Sequence, residues 1–275
     1  MTIKQGLKPI IPFANEYQSI HSDNSKSCLK NNDIPRNSSF STATLETINR
    51  FYHALDSSRE DPSAGPEVEG CFALRLALFL IETISGKKFS LNAGGSFSPV
   101  FYRQCLATAS QAGLADEIND SELLVIYIKQ CLQLMEKSGI LEKNRRHARI
   151  RVDADTMSPA AMYHRLFNAF WNSTPWEDLF PSDRESARVL KSSRGILKDL
   201  LLRRHGAVSL GTIANEYFEM TGFSSRNNLL MISFLDFYFF TWLRHFGIVR
   251  YLNEDDLAPV RIIVTDSGRK SLNSY

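Results

Sequence analysis

A short series of sequence features occurs twice along this 275-residue chain, in the same order and about 110 residues apart. Phe89-Ser90-Leu91 after one helical pattern matches Val208-Ser209-Leu210 after another, and Gly113-Leu114 matches Gly222-Phe223. A further apolar helix then runs in each half to Gly139-Ile140-Leu141 or Gly247-Ile248-Val249. Glycine in that place is suited to a left-handed helix cap. Each glycine is followed by a hairpin whose return strand is Arg149-Ile150-Arg151-Val152 in the first half and Arg261-Ile262-Ile263-Val264 in the second. The intervening turns are read at 143–146 and 253–259. A repeat of this kind demands two copies of one supersecondary unit.

Helix, short strand, helix, turn, helix and hairpin is the element order of a winged-helix unit, and the chain resembles that superfamily over roughly 70–155 and 190–275. The resemblance implies a mainly α fold with small β-hairpins arranged as tandem winged-helix-like units. The segment from Lys87 to Tyr102, with Gly94-Gly95 and Pro99, is also similar to a segment of some uncharacterised bacterial proteins, a likeness that implies no activity.

Around the repeats the chain divides into four parts. Residues 1–42 are rich in Ser, Asn, Lys and Pro and have too few apolar residues to offset the entropy of ordering, so a disordered tail is expected there. Ile10-Ile11-Pro12-Phe13 within it is either a short docking segment or an accidental cluster. The first unit occupies 43–155, with an extra helix over Thr44–Leu55 and a loop over Ser57–Pro66; a helical linker covers 156–189, and the second unit 190–275. Individual helices have their own signals. Leu124, Ile128, Cys131 and Met135 make one apolar stripe, with Asp120 or Ser121 able to cap its start. Leu210, Ile213, Ala214, Tyr217 and Phe218 make another after Ser209, and Ser158-Pro159 starts a helix that buries Met162, Leu166, Phe167 and Phe170.

An apolar fraction of 43% is that of a globular protein, and a net charge of +2 requires any nucleic-acid footprint to be local. Cys28, Cys71, Cys105 and Cys131 are scattered without zinc-site spacing, so neither metal nor cofactor is expected and a reducing, cytoplasmic location fits. The start of the chain lacks a secretory pattern. Leu229 to Leu243 falls about five residues short of a bilayer span and contains Asp236, so no membrane contact is expected.

Catalytic signatures are missing, including a phosphate loop ending in Lys-Ser or Lys-Thr, a dinucleotide fingerprint and a nucleophile elbow. Gly94-Gly95-Ser96 is either a weak phosphate loop or a plain turn. His164, Arg165, Trp171 and Trp176 on the linker suggest a site, but aromatic residues beside Pro175 and Pro181 fit a brace between units better. The strongest candidate is the first hairpin, where Lys143, Arg145, Arg146, His147, Arg149 and Arg151 fall within nine residues. Strand alternation turns His147, Arg149 and Arg151 outward and Ala148, Ile150 and Val152 inward, an arrangement able to follow DNA phosphates. The alternative is a solvated hairpin paired with Glu142, Asp153 and Asp155.

The second hairpin carries Glu254, Asp255 and Asp256, which repel phosphates. The helix before it is apolar almost all round and must be covered, so Phe237, Phe240 and Leu243 are expected at an inter-unit contact or an interface with a protein partner, including a homodimer. Arg184, Arg188, Lys191, Arg194, Lys198, Arg203 and Arg204 either extend a positive track or solvate a helix. Two functions follow: a non-enzymatic, DNA-binding regulator using the basic first hairpin, or a protein-interaction module docking through the apolar second unit.

Overall fold

The computed structural model describes residues 70–85, 89–109, 112–114, 118, 120–151, 153–154, 156–222, 235–252 and 260–275. The expected tail, the Thr44–Leu55 helix, the Ser57–Pro66 loop, Cys28, Val152, Asp155, the beginning of the apolar helix at Leu229 and the acidic tip at 253–259 lie outside them.

In the first half, helix α1 (Phe72–Ile84) leads to strand β1 (Phe89–Ser90), then α2 (Pro99–Ala109), α3 (Ser121–Lys137) and the strands β2 (Leu141–Lys143) and β3 (His147–Ile150). The linker holds α4 (Pro159–Asn168), which widens into a π-helical turn over Ala169–Ser173, and the short α5 (Trp176–Leu179). The second half repeats the order with α6 (Arg184–Leu202), β4 (Val208–Ser209) and α7 (Leu210–Thr221). A π-helical segment, Leu235–Phe240, then continues into α8 (Thr241–His245), followed by β5 (Val249–Leu252), β6 (Arg261–Val264) and a closing helix α9 (Asp266–Asn273). The fold is thus mainly helical with two small antiparallel sheets, ordered β1-β3-β2 and β4-β6-β5.

Local chemistry accounts for the element boundaries. Asp120 caps α3 by accepting from the amides of Glu122 and Leu123, Ser158 caps α4 with Pro159 in the first turn, and Ser209 caps α7 through the Thr212 amide. The two glycine caps are the same structure. Gly139 and Gly247 have φ of +73° and +67°, and after them the amides of Ile140 and Ile248 reach back to Met135 O at 2.9 Å and Leu243 O at 2.8 Å. The Ile140 and Ile248 carbonyls then accept from Arg151 and Thr265, both at 3.0 Å, so each hairpin is fastened to its helix end in the same way.

The strand register corrects one correspondence. Phe89 pairs with Ala148 and Val208 with Ile262, so Arg149 is equivalent to Ile263, not to Arg261. A slide of two residues keeps every side chain on its face of a strand, so residue types alone did not detect it. Lys143 belongs to β2 and not to the turn.

The buried residues of both halves and the linker form one continuous core. Its centre is aromatic: the Trp242 ring lies 6.2 Å from Tyr127 and 5.8 Å from Phe170, and His245 lies 4.4 Å from Phe72. A buried amide ties three segments together, since Gln130 on α3 donates to Leu179 O at 3.0 Å and accepts from Trp242 Nε1 at 3.1 Å. Tyr163 on α4 donates to Phe246 O at 2.9 Å. No helix among the described residues is long and apolar enough to cross a membrane.

Candidate nucleic-acid interface

The first hairpin has a built tip. Asn144 pairs its backbone amide with His147 O at 2.9 Å, and its side-chain oxygen accepts from the amides of Arg146 and His147 at 2.9 and 2.7 Å. Arg146 O accepts from the Leu91 amide at 2.8 Å, which fixes the tip to the end of β1. Alternation along β3 is as the strand period requires: His147 and Arg149 are exposed, and Ala148 is buried between them.

The six basic residues of the hairpin fall into two sets. Arg145, Arg146 and His147 are exposed and make no side-chain ion pair among the described residues. The others have carboxylate partners. Lys143 Nζ lies 2.7 Å from Glu136 of α3 and is drawn away from the tip. Arg149 faces Glu142 directly across the sheet, its Nε and Nη2 both donating to Oε2 at 2.9 and 2.7 Å. Arg151 reaches Asp153 at 3.1 Å and Glu142 at 3.8 Å, and Arg165 of α4 reaches Asp153 at 3.6 Å. The result is an alternating row, Arg149, Glu142, Arg151, Asp153, Arg165, running from the hairpin onto the linker. Arg165 was legible only as a linker residue, because nothing local in the sequence joins it to a hairpin about 15 positions earlier.

Helix α3 offers less to a duplex. Its exposed charges are Glu122, Lys129, Glu136 and Lys137, which balance, and Lys129 lies over the Tyr102 ring at 5.4 Å. The remainder of its length is largely buried.

No protein-family model matches the chain, and no curated protein or solved structure is significantly similar to it.

Several other sequence candidates have structural duties. Phe237, Phe240 and Leu243 are 3%, 0% and 0% exposed, covered within the chain itself, so the interface expected there with a partner or second copy has no accessible side chains on which to form. Trp171 and Trp176 are buried, and both rings meet Phe239, at 6.1 and 5.7 Å. His164 is exposed, and its carbonyl accepts from the Tyr275 hydroxyl. The amides in the Gly94-Gly95 loop are occupied: Asn92 Oδ1 takes those of Gly94 and Ser96, and Asn92 O takes that of Gly95. They form a turn with none of these amides left for a phosphate.

The basic residues of α6 serve the brace. Arg184 and Arg188 pair with Asp178 and Glu177 of α5, and Arg194 lies over the Trp171 ring at 6.0 Å. Lys191 Nζ donates to Phe170 O and Trp171 O at 2.8 and 2.6 Å and lies 5.1 Å from the Trp176 ring centre. Burial, with the positive charge of Arg194, pushes its pKa down to about 7. Arg204 pairs with Glu216.

Cys71, Cys105 and Cys131 are buried, and burial pushes the Cys105 thiol up to about 12. Among the described residues no cluster of His, Cys, Asp or Glu is grouped to hold a metal ion.

Proposed function

We propose that the chain is a non-enzymatic, nucleic-acid-associated regulator built from tandem winged-helix units, and that its first hairpin contacts the phosphates of duplex DNA. The observation that carries this reading is the tip: Arg145, Arg146 and His147 protrude from a hydrogen-bonded turn with no carboxylate beside them among the described residues. Arginine grips phosphate with planar, permanently charged donors. The twofold element order, the matching sheet orders and the two equivalent glycine caps support the winged-helix reading.

The balanced charge of α3 favours backbone contact over base readout, so the binding is expected to be weakly sequence-selective and strongly salt-dependent. Docking through the apolar second unit has no comparable support, because the residues that would carry it are buried. The buried, reduced thiols of Cys105 and Cys131 fit a reducing, cytoplasmic setting.

The test is binding of the full chain to mixed-sequence duplex DNA at low and physiological salt, beside the Arg145→Glu/Arg146→Glu variant. Wild-type affinity should fall steeply with salt. The variant should bind far more weakly, with a salt slope smaller by about 0.9 for each phosphate that is no longer neutralised. Absence of wild-type binding at low salt refutes the reading for duplex DNA.

A further inference from the structure

The row beside the tip contains a second device. Glu142 sits opposite Arg149 in the sheet, and one of its carboxylate oxygens accepts from both Nε and Nη2 of that guanidinium, the same donors with which arginine grips phosphate. Its other oxygen lies 3.8 Å from Arg151. Asp153 takes Arg151 through both of its oxygens, Oδ1 from Nε at 3.1 Å and Oδ2 from Nη2 at 3.3 Å, and Oδ2 also lies 3.6 Å from Arg165. The Arg149 side chain is 72% exposed and that of Glu142 44% exposed, so the pair faces solvent, where such pairs add little to fold stability. In the second sheet the equivalent cross-strand pair is Arg250 and Ile263, which places no carboxylate in that register.

We propose that Glu142 acts as a built-in phosphate mimic that limits the affinity of the first hairpin for a nucleic-acid backbone. The inference rests on the reading of the hairpin as a phosphate-contacting surface. In the free protein Arg149 is occupied by Glu142. Engagement of a duplex exchanges this carboxylate for a phosphate oxygen at the same Nε and Nη2 donors. Arg145 and Arg146 meet the duplex first without any exchange, and Arg149 joins only when a phosphate outcompetes Glu142. The arrangement keeps non-specific affinity low while leaving an arginine in reserve.

The experiment measures binding to the same mixed-sequence DNA duplex, across a salt series, for the wild type, Glu142→Gln and Glu142→Gln/Arg149→Gln, with the unfolding midpoint of each as the control for folding. The single variant should bind about fivefold more tightly, the scale of a released surface ion pair. Its log–log salt slope should steepen by up to about 0.9 as one more phosphate is engaged. The double variant should lose this gain. Unchanged or weaker binding by Glu142→Gln, beside a wild type that binds, overturns the mimic and leaves the reading of the tip intact. A double variant as tight as the single one also overturns it, because the gain then does not depend on Arg149. If neither the wild type nor Glu142→Gln binds, both the mimic and the phosphate-contacting reading fall.

Discussion

The indole nitrogen of Trp242 donates to Gln130 Oε1 at 3.1 Å, joining α3 of the first half to α8 of the second inside the core. Both side chains are buried, and the amide nitrogen of Gln130 is committed to Leu179 O. One glutamine thus holds two groups that would otherwise be buried without partners.

Gln130→Ala should cost about 3 kcal/mol, from two orphaned groups and the cavity left behind. Gln130→Leu should recover part of the cavity cost but none of the hydrogen bonding. Denaturant unfolding of the three proteins checks this; a Gln130→Ala variant within about 0.5 kcal/mol of wild type would show that the bridge is dispensable.

Two glycines should respond with opposite signs. Gly195 lies in α6 with open space where a Cβ would project, so Gly195→Ala should stabilise the protein by about 0.5–1 kcal/mol through helix propensity and a less flexible unfolded chain. A Cβ on Gly268 would lie 2.2 Å from Ile248 O, the carbonyl that fastens the second hairpin to its helix end. Gly268→Ala should therefore destabilise by about 1–3 kcal/mol. Thermal unfolding midpoints moving in the same direction would contradict the packing of α9 against the Ile248 backbone.

Two bases, one buried and one half-buried, should make stability pH-dependent in separate windows. Burial holds His245 well below the ordinary imidazole value of 6.5, and it lies among Phe72, Tyr127 and Trp242 with Arg244 nearby. Its contribution is complete above 6.5 and is lost as pH falls, because the unfolded chain takes up a proton that the native imidazole refuses. Lys191, at about 7 when folded and 10.5 otherwise, has the same sign at higher pH: stability rises between about 7 and about 10 as the native amine releases its proton first. His245→Leu should flatten the dependence below the ordinary imidazole value, and Lys191→Met that in the alkaline window. Unfolding free energies measured across both windows check the assignments, and slopes unchanged in the variants would refute them.

Much of the local structure was legible in the sequence because it depends on residues near one another in the chain. Asp120, Ser158 and Ser209 cap their helices, the stripe from Leu124 to Met135 is buried, and Gly139 and Gly247 take the left-handed conformation that ends an apolar helix. The hairpin's crowd of arginines, and the alternation that turns Arg149 outward, follow from the same short-range rules.

Tertiary structure decided what those residues meet. The sequence left Phe237, Phe240 and Leu243 to either a neighbouring unit or a partner; their burial within the chain comes from tertiary packing, for which no local pattern codes. It suggested Glu142 and Asp153 as neighbours of the arginines, but only the β2–β3 register sets Glu142 opposite Arg149, and only the fold of the linker brings Arg165 to Asp153. Composition and periodicity determine which side chains are exposed, whereas the balance of charge on a surface depends on which exposed groups the fold brings within a few ångströms of one another.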